Sequence, residues 1–253
     1  MQRPAGRASG VPERPLTSSD AVRLWASLDP DGPACAVWAR PAATERVTVL
    51  MGAFDPPTNA HVDVLCAAAR SDGSAPVLCL TKVLLARPAG ELLSREDRVA
   101  LLVEIGQRLD AGVALANRGT YLDVGRALRA NGIDVSFVVG ADKVDQLADP
   151  VFYDDGVEGV RATFAELRFV VVPRVGAELT ADLIGGLPPG DVRVLDPSDV
   201  FTDASTAGIS GTDVRRILRA GGDVSTLVPP EVALALRSLR GRPPDPPGYT
   251  SAR

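Results

Sequence analysis

The chain's single histidine, His61, closes the run Gly52-Ala53-Phe54-Asp55-Pro56-Pro57-Thr58-Asn59-Ala60-His61, which joins an apolar stretch to an amphipathic one. Gly52 permits close backbone approach, and Asp55-Pro56-Pro57 makes a rigid turn. Thr58, Asn59 and His61 then fall where a helix would begin. The first amides of a helix have no partner within it and the helix dipole adds positive potential there, so a phosphate fits. A histidine beside anionic oxygens is favoured in its charged form and can donate to a phosphoryl group. A plainer reading is an Asp-Pro turn, a Thr or Asn cap and a surface histidine. Their joint placement directly after a strand favours the phosphate site.

A second constellation is Ile209-Ser210-Gly211-Thr212-Asp213-Val214-Arg215-Arg216. Ser210 and Asp213 have the spacing of a capping box, and Val214, Ile217 and Leu218 form an apolar stripe, which leaves Thr212 and Arg215 to point elsewhere. An arginine fork binds phosphate oxygens, so two helix starts could hold a triphosphate from two sides. By itself this motif reads more readily as a capped helix with solvated arginines. A third element ends a strand in Gly140-Ala141-Asp142-Lys143, where Asp142 either takes ribose hydroxyls or caps the next helix. The only lysines, Lys82 and Lys143, both follow strand ends. Lys82 is a candidate for a substrate phosphate or a solvated loop lysine, and Arg98 on the next helix is a further cation. Residues 83–94, with Arg87, Pro88 and Gly90, could form a mobile substrate loop.

What must position these groups is legible in the periodicity. Short apolar runs at 47–51, 77–80, 113–116, 135–139, 169–172 and 192–195 read as strands. Helical patterns fall at 60–70, 95–108, 121–131, 141–148, 159–167, 211–220 and 230–239. Strands apolar throughout belong to a parallel sheet covered on both faces. The expected fold is a doubly wound parallel α/β sheet, Rossmann-like, in one main domain, with its ligand beyond the carboxyl ends of the strands. Residues 1–45 read as an N-terminal extension, partly flexible, with a helical segment at 20–28 and with Trp25 and Trp38 pinning it to the domain. Residues 46–240 form the domain, and 241–253 a flexible Pro-rich tail.

Composition bounds the function. The chain has 253 residues, 45% hydrophobic and 23% charged, enough for one substantial core. A net charge of −5 lacks the basic excess that nucleic acid requires. No window has the apolar length of a membrane span, and the N-terminus has no apolar run of a signal peptide, so a cytoplasmic setting is expected. One histidine excludes His-rich zinc sites, and Cys35, Cys66 and Cys79 have no paired spacing; Cys66 reads as a small buried thiol.

The three motifs together resemble the nucleotidylyltransferase superfamily, which pairs Gly-x-Phe-Asp-Pro-x-Thr/His-x-x-His with a late Ile-Ser-x-Thr-x-x-Arg. Within it, the run from Phe137 to Asp142, the run from Phe169 to Gly176, and the continuation from Arg215 to Pro229 look most like nicotinamide or nicotinate mononucleotide adenylyltransferase. The resemblance spans residues 46–240. It implies that His61, Thr58 and Arg215 are catalytic, and that Gly52, Phe54, Gly140, Asp142, Ser210 and Thr212 bind the nucleotide. Mg²⁺ would accompany ATP without a protein metal site. Lys82, Phe152 and Tyr153 would meet the acceptor, the two aromatics standing where this family often uses a tryptophan. Gly211 stands where a second serine is common. The expected partners are ATP and a mononucleotide, with homo-oligomerisation left open. The expected reaction joins the mononucleotide to AMP and releases pyrophosphate; rivals are transfer to another phosphate acceptor such as phosphopantetheine, and a non-catalytic nucleotide-binding module.

Overall fold

The computed structural model describes residues 15–83, 91–173, 187–201 and 207–240. Six apolar runs become parallel strands: β2 (Arg46–Gly52), β3 (Ala75–Thr81), β4 (Gly112–Ala116), β5 (Asp134–Gly140), β6 (Arg168–Val172) and β7 (Asp191–Val194). A seventh, β1 (Ala36–Arg40), precedes them and pairs antiparallel with β4. The order across the sheet is β1-β4-β3-β2-β5-β6-β7. The helices are α1 (Ser18–Ser27), α2 (Asn59–Asp72), α3 (Arg95–Leu109), α4 (Tyr121–Ala130), α5 (Val144–Ala148), α6 (Val157–Glu166), α7 (Pro197–Val200), α8 (Gly211–Arg219) and α9 (Pro230–Arg240). The expected doubly wound α/β fold is present.

Each strand feeds two cores because its side chains alternate between faces. Leu50, Leu78, Leu80, Leu115, Val138 and Val170 point to the layer that contains α1, α2, α3, α8 and α9. Val49, Val77, Cys79, Phe137, Val139 and Phe169 point to the layer of α4, α5 and α6. Burial pushes the Cys79 thiol up to about 12, and raises that of Cys66, which is only partly buried and so less enclosed than the sequence suggests. Helix starts are fixed by local hydroxyl caps: Thr17, Thr58, Ser94, Thr120 and Ser210 each accept an amide two or three residues into their helix.

The segment before residue 46 is built into this sheet. Trp25 and Trp38 are each 2% exposed, and α1 packs on α3 while β1 continues the sheet beyond β4. The buried Asn117 side chain ties down the intervening loop: it accepts from the Cys35 amide at 2.8 Å and donates to the Asp29 and Pro33 carbonyls at 2.7 and 2.9 Å. The strand at 36–40 escapes a sequence reading because Ala-Val-Trp-Ala-Arg is short and its pairing partner, residues 113–116, lies far along the chain. Trp25→Ala should destabilise the whole protein by about 3–5 kcal/mol in urea unfolding. A change near zero would mean that α1 is not part of the cooperative core.

Candidate active site

From β2 the chain steps outward through β3 to β4, then crosses back to β5 and proceeds to β7, so the sheet changes direction between β2 and β5. The carboxyl ends of the strands on either side of such a switch leave a crevice. Here it is a cavity of 420 Å³ floored by Met51 and Gly52 from β2 and Val139 and Gly140 from β5. The first turns of α2 and α8 close its walls, contributing His61, Ser210, Gly211, Thr212 and Arg215.

The loop after β2 is tightly determined. Phe54 is 2% exposed and has φ 48°, a region non-glycine residues rarely occupy. Its ring lies so near Gly52 that a Cβ there would approach it to 3.2 Å, which accounts for the glycine. The same ring meets His61 edge-on at 5.5 Å. Thr58 is buried and caps α2, its hydroxyl accepting the His61 amide at 3.3 Å. The cap is reciprocal: the Thr58 amide donates to His61 Nδ1 at 2.9 Å, and the Thr58 hydroxyl lies 2.8 Å from the same nitrogen. Because the Thr58 amide donates to Nδ1, that nitrogen serves as acceptor and the ring hydrogen lies on Nε2. That hydrogen remains able to donate to a phosphoryl oxygen. Thr58 thus serves through the cap and through His61. Asn59 anchors the helix start from the other side, its amide donating to the Leu227 carbonyl and its side chain to that of Thr226, each at 2.9 Å.

Between the two helix starts lies Asp55, with its carboxylate fully enclosed. It accepts the Leu92 amide at 3.0 Å and the Leu93 amide at 2.8 Å. Arg98 Nη2 lies 3.5 Å from it and Arg215 Nη1 3.7 Å. Arg98 is 1% exposed and also donates to the Leu93 and Ala53 carbonyls. Arg215 donates to the Asp55 backbone carbonyl and to the Thr212 hydroxyl. A buried carboxylate needs such partners to offset its lost hydration.

The start of α8 matches the sequence reading. Ser210 and Asp213 form the capping box, and the hydrogen bond from the Ser210 hydroxyl, supplemented by its amide, holds the Asp213 carboxyl below its ordinary value. Val214 is buried and Ile217 and Leu218 pack against the core. Arg215, though charged, is only 7% exposed because the loop of Asp55 covers it. A Cβ on Gly211 would come within 3.1 Å of the Asp55 carbonyl, so a serine there would need the loop to shift.

Other residues singled out from sequence fall elsewhere. Lys82 does not line the cavity: its ammonium donates to the carbonyls of Trp25, Ala26 and Leu28 at the end of α1 and sits 5.8 Å over the Trp25 ring. This geometry assigns it to the helix terminus, where cations are favoured. Phe152 and Tyr153 also lie outside the lining; the Tyr153 hydroxyl donates to Leu147 and burial raises its pKa. The side chain of Asp142, residues 84–90, and Arg174 to Gly176 lie outside the described residues. Sequence reasoning missed Tyr121, Gln146 and Phe201, which line the cavity. It also gave Arg98 no clear duty, although positions 98, 101, 102 and 105 share one helix face and a charge on that apolar stripe is the readable signal. Among the described residues no three His, Cys, Asp or Glu gather as metal ligands, and no helix is long and apolar enough to cross a membrane.

A Cytidylyltransferase-like family model matches residues 49–217. Phosphopantetheine adenylyltransferase of Ruegeria pomeroyi is 31% identical, covering 78% of this chain and 99% of that protein. The Roseiflexus enzyme of the same name is 28% identical over 78% of this chain and 98% of its own length. Among solved structures, Plasmodium falciparum nicotinic acid mononucleotide adenylyltransferase complexed with NaAD superposes with a TM-score of 0.54 at 15% identity, covering 78% of this chain and 96% of that one. At that identity the likeness is one of fold.

Asp55→Asn should lower stability by about 3–5 kcal/mol, because it leaves two buried guanidiniums without their counter-charge. An unfolding midpoint within error of the wild type would contradict that account. The lowered pKa of Asp213 works the other way with acid. A depressed folded-state value means that the cap contributes fully above the unfolded-state value of about 3.9 and is lost as pH falls through the lower folded-state value. Asp213→Asn should therefore be less stable than wild type at pH 6 and converge with it at the acid end of a thermal-unfolding series.

Proposed function

We propose, from the premise that this chain belongs to the cytidylyltransferase-like family and is an enzyme of the nucleotidyltransferase class, that it transfers AMP from ATP to the phosphate of nicotinate or nicotinamide mononucleotide. The observation that carries the chemistry is the convergence of two helix N-termini, with His61 on one and Arg215 on the other, on one cavity at the sheet's switch point. The acceptor's phosphate oxygen attacks the α-phosphorus of ATP. A new P–O bond forms, the bond from the α-phosphorus to the bridging oxygen breaks, and pyrophosphate leaves with that oxygen. The nucleophile is already anionic, so no general base is required, and rate comes from alignment and from stabilising charge on the phosphoryl oxygens. His61, Thr212 and the start of α8, which line the cavity, would supply this, with Gly140 leaving room at the floor. Mg²⁺ accompanying ATP would neutralise phosphate charge.

For the acceptor, Phe201 and Tyr121 line the cavity and would meet a pyridine ring there, whereas Phe152 and Tyr153 lie outside it. A second reading, phosphopantetheine as acceptor, is favoured by the relatives that match along nearly their whole length. Pyrophosphate release should be followed with ATP and Mg²⁺ on nicotinate mononucleotide, nicotinamide mononucleotide and phosphopantetheine in parallel. Turnover of a pyridine substrate is expected; turnover of phosphopantetheine alone would replace the acceptor, and silence on all three would remove the activity. His61→Ala should lower kcat about 100- to 1000-fold, as loss of a transition-state donor does, while costing stability only about 1 kcal/mol as a weakened cap. Near-normal turnover would dismiss this role for His61.

A further inference from the structure

We infer that Arg98, which does not line the cavity, is a positioning residue that acts through Asp55 to keep Arg215 available to a polyphosphate; this rests on the reading of the cavity as a nucleotide site. Arg98 cannot touch a ligand, since it is 1% exposed and its guanidinium is turned to the Leu93 and Ala53 carbonyls. A leucine at this place on the apolar face of α3 would fill the space without burying a charge, so the charge itself needs a reason. The charge faces the Asp55 carboxylate, whose Oδ1 also takes the Leu93 amide. The other oxygen, Oδ2, lies 3.7 Å from Arg215, and neither this approach nor that of Arg98 at 3.5 Å is a direct hydrogen bond. Arg215 is held instead by neutral acceptors, the Asp55 backbone carbonyl and the Thr212 hydroxyl.

This division has an electrostatic consequence. One enclosed carboxylate stands between two guanidiniums, and Glu91, its side chain 47% exposed, lies 3.5 Å from Arg98. Because Arg98 shares the Asp55 carboxylate, part of the charge of Arg215 is left to be satisfied from the cavity. Without Arg98 the uncompensated carboxylate would draw Arg215 into a direct pair, and the fork would turn from the cavity. The ligand class that completes the cluster is a compact polyanion, the phosphate chain of a nucleoside triphosphate or pyrophosphate itself.

The test is a binding cycle read by calorimetry with inorganic tripolyphosphate, needing no acceptor and no turnover. Wild type, Arg98→Met, Arg215→Met and the double variant are compared, with Arg98→Lys as the charge-retaining partner and the one used throughout if Arg98→Met does not fold. Wild-type binding is expected, with tenfold or greater weakening in Arg98→Met, substantial rescue in Arg98→Lys, and little further weakening when Arg98→Met is added to Arg215→Met. If the cycle is run with Arg98→Lys alone, a smaller weakening that disappears in the Arg215→Met background is expected. With ATP the loss should fall on KM more than on kcat. Equal weakening in both Arg215 backgrounds, or tripolyphosphate affinity unaltered in a folded Arg98 variant, would overturn the inference while leaving the nucleotide site standing. Absence of binding by the wild type would instead overturn the nucleotide site and the inference with it.

Discussion

The buried carboxylate of Asp55 accepts amides from the segment before α3, faces a guanidinium from α3 and another from α8, and is itself part of the loop that leads from β2 into α2. Three stretches distant in sequence, around residue 55, residues 92–98 and residue 215, are thereby referred to one anion. Burying it is tolerable only while every one of those partners is in place, so the arrangement is cooperative: the loop cannot move without stranding a charge. Phe54, Gly52 and Gly211 fit around the loop with little spare room, and the two helix starts inherit their separation from it. Their amide ends face the same cavity because the loop that joins β2 to α2 also abuts the first residue of α8.

That geometry matches the demands of phosphoryl chemistry. Transfer between two phosphates asks for alignment and for donors that are already oriented, and fixed helix amides, a histidine locked by its own cap and an arginine held on neutral acceptors all have low reorganisation to undergo. His61 shows how local structure and chemistry coincide: the capping box that starts α2 also selects which ring nitrogen faces the ligand. Thr58, buried and outside the cavity's lining, is tied to the cavity only through His61 and this cap.

Much of this was legible beforehand. Apolar runs and helical periods placed six of the seven strands and the long helices, because sheets covered on both faces write an unbroken apolar signature. Ser210 and Asp213 announced their cap through spacing alone. The misses have a common physical origin, in that they depend on partners far along the chain. Lys82 looked like a substrate cation until α1 supplied carbonyls for it, and Tyr153 looked like a ring-stacking residue until Leu147 took its hydroxyl. Arg98 and Asp55 form a pair across more than forty residues that no periodicity reveals. β1 is invisible for the same reason, since its place is decided by β4.

The position of β1 also governs how copies of the protein could meet. By pairing with β4 it ends that side of the sheet in a strand whose Ala39 carbonyl is already occupied by the Leu16 amide. Among the described residues the opposite margin is β7, four residues long, largely exposed and carrying Asp191 and Arg193. Continuous sheet formation between two molecules through that margin would gain only a very short ladder, interrupted by charge, and such short pairings are marginal in water. Sheet extension through β7 would therefore contribute little to any self-association of this protein.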